Sequence, residues 1–517
     1  MSEIQIRRGE SLILKVRFDS CLGLTLIASV LLTVASVTSA AELKAGAARV
    51  DITNDEAGPV NDRLYARALV VTSGETTAVL VAVDAVAIGE IGPIRSDYLG
   101  KVRSQVEREL RIKPANVLIN ASHCHGIVCS DVDQKTVQAI KTAYQNLAPV
   151  QVGVGVGHED RISENRRLKL KNGREIDVRH AYSMPADDDV AEVGPIDPQI
   201  GLLRLDRADG RTVAVIYNFA CHPIQGVPGG GNTADITGFA SRVIEDNLSD
   251  GAVALFIQGC GGDINPIGYK GVDTPRDAEP LGNMLGLSTL KGLKQTLSKP
   301  DQRLTVINEL LTLPRADLAD RIAALEAEQT RLLHALKGTS LNLKTFLPLM
   351  VKYNLSPEFP SFYSHRYLHD EKLKRDDMSK LDAENRRNMQ QYLHNIQTME
   401  ELTRLQTNLA LLKKHQAQNI AAGQRTLEVE VVGLRIGDFT LITFPGELTV
   451  QIGLNIKQKS PHARTFVAGY TNGYIYYSPT AEQLLNVGGA QEDSDCILAP
   501  EWQAIFETRA AEILKKL

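Results

Sequence analysis

From Ala47 to about Pro314 the chain alternates short apolar runs with stretches of helical periodicity. The runs ALVVTS, TTAVLVAVDAVAIG, NVLINASH, QVGVGVG, TVAVIYNFA and AVALFIQG are rich in β-branched residues and almost continuously apolar. Strands of this kind bury both faces, so helices must cover them. The pattern predicts an α/β fold, a mixed β-sheet core flanked by helices. Beyond Pro314 the period changes. In RADLADRIAALEAEQTRLLHALKG, residues Leu318, Ile322, Leu325 and Leu332 share one helical face, and from about Arg375 to Gln418 the pattern continues through Leu381, Met389, Ile396, Met399, Leu402, Leu405, Leu409 and Leu412. Two such faces predict a long helical hairpin inserted at 315–420, with heptads too imperfect for a dimeric coiled coil. The connecting stretch SLNLKTFLPLMVKYNLSPEFPSFY is apolar and broken by prolines. It is expected to fold back on the protein rather than cap a cleft or touch lipid. Strands return after Gly423, so the main domain is expected to comprise 42–314 and 421–517.

The first forty residues follow another pattern. Arg7, Arg8, Lys15 and Arg17 precede CLGLTLIASVLLTVASV, which gives way to the small residues of TSAAEL. That order predicts a signal peptide over 1–41, cleaved after Ala40 or Ala41, with an uncleaved anchor as the alternative. The expected location is secreted or periplasmic. A formal charge of -5 on 517 residues removes the basic excess that nucleic acid binding requires. Past the leader, Cys124, Cys129, Cys221, Cys260 and Cys496 are too few for a disulfide scaffold and include no CxxC pair.

Several apolar runs end directly in polar, Gly-rich loops, where α/β folds hold ligands. The loop NASHCHG carries His123 and His125, and alternation along a strand would point both imidazoles into one pocket while Cys124 faces elsewhere. His222, in NFACHPIQG, also follows an apolar strand and is fixed by the proline after it. Glu447, in TFPGELTV, is a carboxylate in apolar surroundings, which needs either a cationic partner or a role at the start of the following helix. Asp235 and Asp263 have neighbours typical of turns.

The motifs SHCHG, NRR (Asn165 to Arg167), IDPQIGLLRLD, NFACHPI, QGCGGDINP, FPGEL and TNGYIYY occur in the order found in the neutral, non-lysosomal ceramidases. The chain resembles the N-terminal catalytic domain of that family over nearly all of its length past the leader, apart from the helical insertion. The resemblance implies a zinc ion held by His123, His222, Glu447 and Tyr477. It places His125 against the scissile amide and Arg166 along the substrate site. Two imidazoles, a carboxylate and a phenol oxygen suit Zn²⁺, which lowers the pKa of bound water to about 7 and polarises a carbonyl. The implied reaction is hydrolysis of an N-acyl lipid, ceramide-like, to a fatty acid and an amine, with possible peripheral contact with membrane lipid.

The chain also departs from that family. Asn265, in GGDINPIG, replaces the family's loop serine, so an acyl-serine route is closed while a hydrogen bond from the asparagine stays open. The family's second active-site tyrosine falls where this chain has NVGGAQ. Active members usually continue into an immunoglobulin-like domain, and this sequence ends at Leu517, which makes amide hydrolysis a firmer expectation than ceramide itself. The competing readings are a hydrolase using Cys124 or Cys221 with a neighbouring histidine, and a zinc-containing binding protein of the same fold without catalysis.

Overall fold

The computed structural model describes residues 42–517 other than 179–184, 186, 270, 272, 274, 361–363 and 487–489. The leader read from the sequence lies outside the described residues. Among them no helix is long and apolar enough to cross a membrane.

Strands β1 (Lys44–Asp51), β2 (Tyr65–Ser73), β3 (Thr76–Val83) and β4 (Val117–Ala121) form one mixed sheet in the order β4-β3-β2-β1, with Ala148–Pro149 added at the β1 edge. A second sheet runs β8-β7-β6-β5, from β5 (Gln151–His158), β6 (Gln199–Asp206), β7 (Thr212–Phe219) and β8 (Val253–Gln258). The third runs β9-β10-β11-β12, from β9 (Leu304–Pro314), β10 (Thr426–Ile436), β11 (Phe439–Thr443) and β12 (Thr465–Ala468). Successive side chains on a strand point to opposite faces. Leu69, Leu80, Leu118, Leu205, Ile216, Leu255, Leu434 and Leu441 accordingly meet in one shared apolar layer between the sheets. Their neighbours Val70, Val79, Val81 and Ile119 face α1 (Tyr98–Leu110) and α2 (Val132–Gln145). Val215, Tyr217, Ala254 and Phe256 face α3 (Asp235–Asp246) and α4 (Ala278–Leu293) on the other side. Burial on both faces explains why these runs contain so few polar positions.

β9 and β10 pair antiparallel, with Pro314 opposite Thr426. Everything between them therefore leaves and re-enters the core at one point, as an arm in place of a hairpin turn. The arm contains α5 (Ala319–Ala335), α6 (Leu343–Leu355), α7 (Ser364–Lys372) and α8 (Asp377–Ala421). Leu318, Leu325 and Leu332 pack on Leu402, Leu405, Leu409 and Leu412, as the helical periodicity predicts. The other half of α8 differs: Leu381, Ile396 and Met399 are exposed. The connecting segment folds back only in part. Phe346 and Tyr353 of α6 pack on Met389, whereas Leu343, Leu347, Val351 and Leu355 face solvent, since a helix apolar on most sides can bury only one of them against a single partner. Helices α9 (Val450–Lys459) and α10 (Trp502–Lys516) complete the chain, with Trp502 and Phe506 buried against Phe444.

Candidate metal centre

β4 ends at Ala121, so His123 is not on a strand. It has φ 70°, the left-handed region, which costs roughly 1–3 kcal/mol for a residue with a side chain and persists only when its surroundings impose it. The backbone N–H of Ser122 donates to Val83 O and that of His123 to Ala85 O, tying the turn to the end of β3. The strand alternation expected for His123 and His125 is thus replaced by a tight turn. Both imidazoles still line one cleft, their rings 5.8 Å apart and nearly perpendicular, with His123 buried and His125 exposed. Cys124 turns into the core.

His222 follows β7 and Glu447 follows β11 in the same sense. The ligand-type atoms of His123, His222 and Glu447 all lie within 4.8 Å of one another, and all three residues are buried. His222 Nε2 is 3.1 Å and His123 Nε2 3.5 Å from Glu447 Oε2. Each Nδ1 sits against a main-chain carbonyl, Val86 O at 2.6 Å for His123 and Ile264 O at 3.0 Å for His222. A carbonyl can only accept, so each Nδ1 carries the proton and each Nε2 presents its lone pair inward. This is the orientation that metal-ligating histidines take from their outer partners. Glu447 is held similarly: Tyr470 Oη donates to Oε2 at 3.1 Å and Tyr474 Oη donates to Oε1. Its expected alternative role at the start of α9 is not taken up: Thr449 holds the N-cap position without a side-chain cap bond, and Asp263 accepts the Val450 N–H.

Burial, followed by the nearby Arg166 cation, pushes the His222 pKa down to about 3, keeping the imidazole neutral. Burial alone would raise the Glu447 pKa; the His123 and His222 rings and the Tyr474 hydroxyl outweigh it and hold the carboxyl ionised. A neutral His222 imidazole beside an ionised carboxylate is the protonation pattern a divalent metal needs. The donor set fits such an ion.

Tyr477 pairs with Glu447 across the short parallel bridge of Glu447–Leu448 with Tyr477–Ser478. Its Oη lies 3.5 Å from His222 Nε2. Arg166 is fully buried, and its guanidinium meets Glu492 Oε1 at 2.5 Å, Asn265 Oδ1 at 2.9 Å, Gly262 O at 2.6 Å and Tyr477 Oη at 3.1 Å. These contacts orient Tyr477, and Arg166 also lines the cleft into which the centre opens. Asn265 is buried, and its Oδ1 accepts from Arg166. Gly262 makes this junction possible, because a Cβ there would come within 2.6 Å of Glu447 O. Asp235 accepts the backbone N–H groups of Gln225, Gly226 and Ile236, and Asp263 accepts that of Val450, so both serve the loops as expected.

The centre opens into a cleft of about 410 Å³ whose walls include Val86, Ile91, His125, Ile224, Tyr476 and Lys414. No protein-family profile matches the chain, and no curated protein matches it either. Solved structures do. The chain aligns with the crystal structure of neutral ceramidase from Pseudomonas aeruginosa at a TM-score of 0.57 and 16% identity, over 92% of this chain and 75% of that one. A ceramidase complexed with C2 gives the same values. The fold is that of neutral ceramidase.

Within that ceramidase fold the sequence motifs bring His123, His125, His222, Glu447, Tyr477, Arg166 and Asn265 to one place. The groups that hold them were missed. Tyr470 and Tyr474 had a signal in the dense tyrosines of GYTNGYIYY. Glu492 had none, because its partner Arg166 is 326 positions away. The glycines of NVGGAQ, where the ceramidase tyrosine was sought, fall outside the described residues.

Proposed function

We propose that the protein is an exported, zinc-dependent amide hydrolase that cleaves a ceramide-like N-acyl lipid to a fatty acid and an amine. One observation carries this reading: two buried imidazoles and a buried carboxylate converge within 4.8 Å, each held by a hydrogen-bonding partner behind it, at the base of an open cleft. Likeness to the solved ceramidases supports the same chemistry, and the leader supports export.

His123, His222 and Glu447 would hold the ion, with Tyr477 as the fourth ligand. Zinc bound there would supply a Lewis acid for the amide carbonyl and acidify a water. Arg166 donates to Tyr477 Oη and fixes its direction. Glu492 and Asn265 hold Arg166 in turn. His125 is exposed where His123 and His222 are buried, so its ring can exchange protons with solvent. It is the group placed to deliver a proton to the departing amine nitrogen or a hydrogen bond to the carbonyl oxygen as charge develops.

The thiol alternative loses support from the geometry. Cys124 and Cys221 are buried, and burial pushes both thiols far up, away from the thiolate that attack requires. Hydrolysis of a panel of N-acyl amides, measured before and after a chelator and after zinc is restored, tests the proposal. Chelation should abolish turnover and zinc should return it. Turnover blocked by iodoacetamide but indifferent to chelation would replace the metal reading with the thiol one, and bound zinc without turnover of any amide would leave a binding protein.

A further inference from the structure

The helical arm does more than pack on the core, because the last third of α8 forms part of the cleft wall. His415 is fully buried, with Nε2 2.7 Å from Asp495 Oδ1, Nδ1 2.8 Å from Gln418 Oε1, and its ring 4.5 Å from that of Tyr476. Gln418 Nε2 donates to Tyr476 Oη at 3.0 Å. These contacts pin one turn of α8 against the residue that precedes Tyr477. Lys414, beside His415, is carried on that turn, and its Nζ lies 4.6 Å over the Tyr476 ring at the cleft.

Among the described residues no carboxylate pairs with Lys414, nor with Arg276, which is exposed on the same cleft. The cleft's acids are already engaged: Glu447 with His222 and the tyrosines, Asp235 with backbone N–H groups, and Asp495 with His415. Lys414 and Arg276 thus line the cleft without an ion-pair partner among the described residues, on a chain whose net charge is -5. The cleft also has a direction. Val86, whose carbonyl meets His123 Nδ1, and Ile91 supply apolar lining, while Lys414 lies over Tyr476, the residue before Tyr477. An amide carbonyl at the centre would lay its acyl chain against Val86 and Ile91 and send its amine half toward Lys414.

We propose that the cleft selects N-acyl substrates whose amine half carries an anionic group, a carboxylate or a phosphate, and that Lys414 of the inserted arm binds it. The proposal rests on the amide-hydrolase reading and adds the substrate's charge to it. Lys414 is exposed to solvent, and the Tyr476 face beneath its Nζ fixes where along the cleft its charge can meet an anion.

The test uses three amides with one acyl chain: N-lauroylglycine, N-lauroyl-O-phosphoethanolamine and neutral N-lauroylethanolamine. The zinc-loaded full chain should turn over at least one anionic amide with a higher kcat/KM than the neutral one, and either preference supports the proposal while naming the anion. Lys414→Gln should reduce the anionic-to-neutral ratio by about three- to tenfold, and added salt should shrink the preference in the parent. Lys414→Glu should favour cationic N-lauroylethylenediamine, a gain that loss of folding could not produce. Parent kinetics without preference for either anion, or a ratio unmoved by both substitutions, would overturn the proposal and leave the hydrolase reading standing. Absence of turnover on every amide would overturn both.

Discussion

The candidate metal centre and the helical arm are built on opposite principles. In the centre, residues from the ends of β4, β7 and β11 meet where no repeating pattern governs them, and each is fixed by a specific partner: Val86 O, Ile264 O, Tyr470, Tyr474. The backbone itself is forced there, with His123, Asp235, Tyr470, Asn472 and Tyr476 all at positive φ. The arm is regular helix held by a leucine seam, and it leaves Leu343, Leu347, Val351 and Leu355 between 50 and 81% exposed. A site that must hold charge in a dry interior needs every group partnered; an amphipathic arm needs only one buried stripe. The two regions should therefore respond very differently to single substitutions.

The largest effect is expected where the centre's charge network would be broken. Glu492→Ala leaves the Arg166 guanidinium buried without its carboxylate, which costs about 3–5 kcal/mol, and chemical denaturation should show it together with loss of activity. Near-parent stability in Glu492→Gln, which keeps the shape and removes the charge, would instead point to packing. Next comes the seam at the root of the arm: Leu412→Ala, at a position with 0% exposure, should cost about 2–5 kcal/mol in the same assay. A smaller effect belongs to Tyr474→Phe, which removes one hydrogen bond to Glu447 and should weaken metal binding about 10- to 100-fold in a competition titration while the melting temperature moves little. Least of all, Leu347→Ser on the exposed face of α6 should change stability by no more than about 0.5 kcal/mol. A large loss there would mean that this face is covered in solution and that the contrast between the regions is overstated.

Legibility divided along the same line, though not as simply. The sheets and the seam could be read from the chain because strand alternation and the helical period follow directly from local geometry. The ligand-type residues were legible as motifs at strand ends, yet the reason expected for His123 and His125 was wrong. A left-handed turn, not the pleat of a strand, presents them. Glu492 could not be found because its meeting with Arg166 depends on how distant segments pack. Lys414 was hidden for another reason. It lies on the solvent side of an amphipathic pattern, where lysine is ordinary, and only the docking of α8 through His415 and Gln418 turns that side toward the cleft.

The central claim is that His123, His222 and Glu447 hold one divalent ion that the reaction requires. Metal content per chain, measured by mass spectrometry on the purified protein and on His222→Ala and Glu447→Ala, tests it most directly. The account predicts one zinc per chain in the parent, and in both variants loss of the metal with hydrolysis reduced more than about 100-fold. Full zinc content and undiminished hydrolysis in either variant would contradict it.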